Sequence, residues 1–214
     1  MDSMPLFPLG TVLLPGVRLP LRIFEPRYVA MVAHLERLEA VEQRLFAVVA
    51  IRRGNEVGMP APVFYDVGCS VGLDTVTRRE DHLVIETTSR RRVRIVGVHD
   101  DRAPYLVADV EYLDPQQESV PTGLRDRTET AFLEFAEVVG AHVDGLPYEP
   151  YELTASALDG LGLPRPEQQA VLEAGDATRR LQAVGRLCRR ERALAEVLGL
   201  RSATVAPSSR LSPN

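Results

Sequence analysis

The stretch Gly68-Cys69-Ser70-Val71-Gly72 has the residue types and spacing of a nucleophile elbow, G-x-S-x-G. Such an elbow strains its serine on a turn between a buried strand and a helix, and acidic and histidine partners follow later in the chain. Asp74, Asp81, His82 and His99 do follow. The surrounding pattern points elsewhere, because the pentapeptide lies inside an alternating segment and more strand-like sequence comes after Gly72. The expectation is therefore a glycine-punctuated strand, with a serine hydrolase built on Ser70 as the less favoured alternative. Cys69 on the apolar side of that strand, and Cys188 on an apolar helix seam, read as small core residues rather than nucleophiles. His34 and His142 fall on predicted helices, His82 in a turn and His99 at a strand end. No pair has ligand spacing, so neither a metal nor a cofactor is expected.

Each of the 25 basic side chains is arginine. Without lysine there can be no Walker-A phosphate loop, Schiff-base chemistry or Ser-Lys dyad in this sequence, and arginine cannot replace lysine as a general base. Biased codon usage accounts for the count. Two arginine clusters stand out: Arg90, Arg91, Arg92 and Arg94, and then Arg179, Arg180, Arg186, Arg189, Arg190 and Arg192. They could form an anion-binding or acidic-partner surface. The formal charge of -5 and the few aromatics near the clusters argue against nucleic acid, so carboxylates elsewhere in the fold are the expected partners. The prolines near the N-terminus and Asp2 do not suit a signal peptide, and Leu45 to Ile51 is too short an apolar run to span a bilayer. A cytoplasmic protein without membrane association is expected.

Positioning these residues requires two kinds of structure. Residues 5–113 read mostly as short strands: proline-broken edge strands from Met4 to Phe24, a buried strand at Leu45–Ile51, and a half-buried strand from Val67 to Leu73. Strands at Leu83–Thr87 and Val93–Val98 follow, and a last one carries Leu106, Ala108, Val110 and Tyr112 on one face. Pro26 opens one short helix along Tyr28, Val32, Leu35 and Leu38. Four helices come afterwards. The first, within 124–143, carries the stripe Phe132, Phe135 and Val139. The second runs from Pro150 to near Gly160, and the third from Pro166 to Gly175. The last is capped by Asp176 and runs to Gly199, with Leu181, Val184, Cys188, Ala195 and Leu198 as its seam. This gives a β-domain over 1–115, a helical bundle over 120–200, and a tail over 201–214 expected to be disordered.

The string Pro5-Leu6-Phe7-Pro8-Leu9-Gly10, then Val12-Leu13-Leu14-Pro15-Gly16, then Leu19 through Phe24-Glu25-Pro26-Arg27-Tyr28, closely resembles the start of the Lon protease N-terminal domain. The likeness continues at Asp66-Val67-Gly68-Cys69, at Ser89–Ile95, along Glu167–Glu173 and at Arg190-Glu191. Three departures surround one hairpin: Ser89 where the family usually has glycine, Val93 where it usually has phenylalanine, and Glu80-Asp81-His82 in place of the usual Asp-Gly.

The resemblance implies an α+β fold, with a PUA-like small β-barrel or pseudo-barrel followed by a C-terminal helical bundle. It also implies a non-enzymatic module that binds unfolded or peptide protein substrates, or a partner protein, with an adaptor role in protein quality control. A PUA-like module for RNA or a small molecule is the alternative. Partner contacts are expected at Leu21, Phe24, Tyr28, Met59, Arg186 and Arg190, with the loop Arg53 to Pro62 lining the face. Against this, Phe24 and Tyr28 could equally sit in the core while Glu25 and Arg27 tie strand to helix.

Overall fold

The computed structural model describes residues 2–54, 63–113, 119–199 and 212–213. The chain divides into two units, Met1–Pro115 with Arg210–Asn214, and Gln116–Ser209.

The first unit is built on strands. They are β1 (Asp2–Leu9), β2 (Arg18–Ile23), β3 (Leu45–Arg53), β4 (Val63–Phe64), β5 (Val67–Arg78), β6 (Leu83–His99) and β7 (Val107–Tyr112). The dipeptide β8 (Ser212–Pro213) completes them, and α1 (Pro26–Glu36) follows β2. β3 pairs with β1 and β5, β6 with β5 and β7, and β7 with β1, so these five strands close a ring of pairings. β4 adds to β3, and β2 adds to β6. Every pairing is antiparallel except β1 with β3 and β2 with β8. Met4, Leu6, Ala47, Val49, Val93, Ala108 and Val110 form one buried cluster, with Phe64, Ile95, Leu106 and Tyr112 packed against it.

The proline-rich start is not an edge strand. Residues Asp2–Pro5 of β1 pair with β7, and Leu6–Leu9 pair with β3. The Leu6 amide donates to the Leu106 carbonyl at 2.7 Å, toward β7. Main-chain groups alternate sides along a strand, so the Pro5 nitrogen faces the β3 side and the Pro8 nitrogen the β7 side. Pairing with β3 begins at Leu6 and pairing with β7 ends at Pro5. Both missing donors thus fall where no ladder partner exists, and the strand tolerates proline inside the sheet.

Two further expectations change. The strands anticipated at Leu83–Thr87 and Val93–Val98 are one strand, β6, which runs through Ser89 and the arginines. Ser89 makes this possible: its buried hydroxyl donates to the Leu14 carbonyl at 2.6 Å and accepts the Val17 amide at 2.8 Å. β5 is not half-buried, because every residue from Val67 to Leu73 is buried.

The second unit holds α2 (Leu124–Val139), α3 (Pro150–Leu161), α4 (Arg165–Glu173) and α5 (Ala177–Leu198). The Asp176 side chain accepts the Arg179 amide at 2.8 Å, capping α5, and Gly199 ends that helix at φ 63°. α2 and α5 run side by side in the same sense: Thr128 donates to the Leu181 carbonyl, and Glu134 pairs with Arg192 further along. The second helix, expected to end near Gly160, ends at Leu161. A Cβ on Gly160 would lie 2.6 Å from the Phe132 ring, so the glycine seats α2 on α3. In the α5 seam Leu181, Val184, Cys188 and Ala195 are buried as expected, whereas Leu198 is exposed. Most of the expected tail lies outside the described residues; Ser212–Pro213 is described, in parallel pairing with β2.

Candidate functional site

β2 places Leu19, Leu21 and Ile23 inward, and the chain then turns at Phe24 into α1. Glu25 is the extended residue before the helix, and Pro26 supplies the preset φ of its first turn. The helix buries Tyr28, Met31, Val32 and Leu35 on one stripe. Tyr28 stacks at 4.1 Å between ring centroids on Phe7, which in turn meets Phe46 edge-on at 6.1 Å. Across the turn, the Arg27 guanidinium grips one Glu25 oxygen through Nε at 2.9 Å and Nη2 at 2.8 Å. It also lies 4.5 Å from the Tyr28 ring centre. The other Glu25 oxygen, Oε1, is buried without a hydrogen-bond partner among the described residues. Its charge stands at the N-terminus of α1, where the helix dipole favours an anion.

This bracing leaves apolar surface in water. Phe24 is 48% exposed, and Val29 on the first turns of α1 is 36% exposed. The expected contact residues therefore separate. Leu21, fully buried, and Tyr28, 3% exposed, are core side chains that no partner reaches in this structure. Phe24 is accessible, which also corrects the reading that placed it in the core. Met59, with the loop from 55 to 62, lies outside the described residues. Arg186 and Arg190 belong to α5 in the helical unit: Arg186 is exposed, and Arg190 is held by Glu167 at 2.5 Å and Glu191 at 2.7 Å.

The arginine clusters disperse in the same way. Arg92 and Arg180 are buried. Arg180 donates to the Gly175 carbonyl at 3.1 Å and stands over the Tyr151 ring. Arg91 covers the Tyr112 ring at 4.2 Å, and Arg192 pairs with Glu134 and Glu196. Carboxylates, carbonyls and rings thus take up much of the charge that the sequence groups together.

The G-x-S-x-G stretch is packing. β5 runs extended from Val67 to Arg78 with no turn into a helix. Ser70 is 1% exposed, and its hydroxyl donates to the Arg91 carbonyl at 3.2 Å. His99 pairs with Asp109 at 2.7 Å, His82 with Asp81 at 2.5 Å and His142 with Asp144 at 2.8 Å; none of these pairs includes Ser70 or a cysteine. The Cys69 thiol donates to the Leu13 carbonyl at 3.1 Å, and burial pushes the Cys188 thiol up to about 12. Among the described residues no group of three or more His, Cys, Asp or Glu side chains could hold a metal ion. No described helix is long and apolar enough to cross a membrane.

The edge strand expected from the prolines between Met4 and Phe24 is β2, which has only the dipeptide β8 beyond it among the described residues. Pro20 sits in β2, a position that marks a sheet edge when a strand must do without an amide.

Strand ring, braced strand–helix corner and helices together define an α+β module of the Lon N-terminal type. Residues 3–190 match the family model of the ATP-dependent protease La (Lon) substrate-binding domain, and the chain belongs to that family. The fold is similar to the crystal structure of a Lon N-terminal domain protein from Xanthomonas campestris. That similarity has a TM-score of 0.61 at 23% identity and covers 94% of this chain and 100% of that one. It is similar also to the N-terminal domain of Mycobacterium avium complex Lon protease, with a TM-score of 0.60 at 15% identity over 87% and 98% of the two chains. A search of curated proteins finds no match.

Proposed function

We propose that this chain recognises unfolded segments of other proteins, with Phe24 and Val29 at the β2–α1 corner as the apolar contact, and that it serves as an adaptor in protein quality control. Membership of a substrate-binding family supports the reading. The observation that carries it is the exposed Phe24 ring on a turn held rigid by Arg27, Glu25 and Tyr28. A rigid backbone loses little freedom on binding, so an apolar anchor there is used efficiently. Binding is the whole activity in this reading, and no catalytic step is assigned. RNA is disfavoured by the formal charge of -5 and by the carboxylates that hold Arg190 and Arg192.

The test is fluorescence anisotropy with a labelled, reduced and carboxymethylated polypeptide that cannot fold. Phe24→Ser should weaken binding about fivefold, the share expected when a half-exposed phenylalanine is fully buried. Unchanged affinity in that variant would remove the corner from the site. Binding of single-stranded RNA that falls steeply with salt, with none of the polypeptide, would replace this reading with the nucleic-acid one.

A further inference from the structure

We infer that the outer edge of β2 receives an extended polypeptide main chain as an added parallel strand, and that Ser212–Pro213 of the same chain competes for that seat. The inference rests on the substrate-binding reading above and gives it a binding mode and a form of self-regulation.

The edge has a definite pattern of groups. β2 runs antiparallel to β6 in the register Arg18↔Thr88 to Ile23↔Leu83. The Ser89 amide donates to the Val17 carbonyl at 2.9 Å, so position 17 faces β6. By alternation the main-chain groups of Leu19, Leu21 and Ile23 also face β6, and those of Arg18, Pro20 and Arg22 face outward. The one proline of β2 therefore costs the β2–β6 ladder nothing. It leaves an outer edge with carbonyls at positions 18, 20 and 22 and amides at 18 and 22 only.

A segment of the chain is already seated there. Ser212 stands opposite Leu21 and Pro213 opposite Arg22, in parallel sense. In a parallel ladder only one residue of an opposed pair makes both bonds, to the carbonyl before its partner and the amide after it, and because Leu21 faces β6 that residue is Ser212. The register thus sets the Ser212 amide toward the Pro20 carbonyl and its carbonyl toward the Arg22 amide. These are the outward groups of the β2 edge. Two residues fill only part of a six-residue edge, and the Arg18 end extends beyond them. At its other end the edge runs directly into exposed Phe24.

A free strand edge is a template for any extended chain, and main-chain pairing is indifferent to sequence. Both properties suit a module that must accept many unfolded segments. The proline narrows the choice: a visiting strand needs an amide opposite the Pro20 carbonyl. An apolar residue further along such a strand would then reach Phe24.

The test uses Ser212→Pro, which removes the amide that faces Pro20, and Ser212→Ala, which keeps it. Hydrogen exchange at the Arg22 amide should be slow in the unaltered chain and in Ser212→Ala, and about tenfold faster in Ser212→Pro. The carboxymethylated polypeptide should bind Ser212→Pro about threefold more tightly, because the competitor is gone, and should slow the Arg22 amide again. Equal Arg22 exchange in Ser212→Pro and the unaltered chain overturns the self-seating. Tight polypeptide binding that leaves Arg22 exchange untouched overturns the edge as the substrate seat, while the functional reading survives. A polypeptide that binds neither protein overturns the functional reading and the substrate seat with it. Fast Arg22 exchange in Ser212→Pro would then still support the self-pairing.

Discussion

A Cβ placed on Gly68 would stand 2.0 Å from the carbonyl oxygen of Val48, and that single close approach explains the most enzyme-like string in the sequence. β3 and β5 pair antiparallel through Val48↔Cys69, and the Val49 side chain also closes on position 68, at 2.8 Å. At position 72 the added atom would meet the Arg90 guanidinium at 2.5 Å. The two glycines, with Ser70 between them, are small because neighbouring strands and an arginine occupy the space.

Gly68→Ala should therefore destabilise the first unit by about 3 kcal/mol or more, since a backbone oxygen cannot step aside as a side chain can. Gly72→Ala should cost less, because the obstacle is the far end of a flexible arginine. Urea unfolding of both variants checks the order. Equal midpoints for the two would mean that the β3–β5 approach does not dictate glycine.

Why the string is a strand and not an elbow is physical. A motif records residue types, whereas a nucleophile elbow also needs a sharp turn into a helix, and β5 stays extended for 12 residues. Periodicity was most informative where one face packs and the other meets water. Pro26, Pro150, Asp176 and Gly199 mark helix ends within a residue of those observed. It misjudged burial along Val67–Leu73, because Gly68, Ser70 and Gly72 alternate with larger apolar residues and read as a solvent face, whereas Val48 and Arg90 close on the two glycines. Ser89 and Arg92 looked like an interruption of β6, since a sequence cannot show the Leu14 and Val17 main-chain groups that wait for the serine. At the candidate site the Leu21–Tyr28 string located the corner. Exposure divided it, because a core strand and a surface turn draw on the same apolar residues.

The sequence groups Arg180 with five other arginines of α5 and suggests carboxylate partners, yet it is 1% exposed. Its guanidinium donates to the Gly175 and Ala174 carbonyls just past the end of α4, and lies 5.1 Å from the Tyr151 ring centre. Carbonyls at a helix C-terminus carry partial negative charge and need donors. Arg180→Ala should cost about 2–4 kcal/mol, combining unsatisfied buried carbonyls with a cavity. Arg180→Lys should recover only part of this, because an ammonium has no planar group to lie over the Tyr151 ring while a nitrogen reaches the two carbonyls. Thermal unfolding of the two variants measures the gap. If Arg180→Ala melts like the unaltered chain, the α4–α5 joint does not depend on this charge.

Asp109 links three strands: its carboxylate accepts from His99 at 2.7 Å and from Arg102 at 3.2 Å, and interacts with Ser3. The His99 hydrogen bond is the largest influence holding its carboxyl below the ordinary value of 3.8. Desolvation opposes it, and Ser3 and Arg102 add to the lowering. A lowered folded-state pKa means that the unfolded chain takes up the proton first as the solution is acidified. The stability from this group is therefore fully present above the unfolded value and disappears as the pH falls through the folded one. Asp109→Asn should melt at a lower temperature than the unaltered chain from about pH 5 upward, and the difference should shrink steadily below about pH 4. Because the carboxylate is only partly buried, salt should also reduce the difference. Thermal melts at several pH values follow both trends. A difference that stays constant down to the most acidic condition would show that Asp109 acts through its shape and not through its charge.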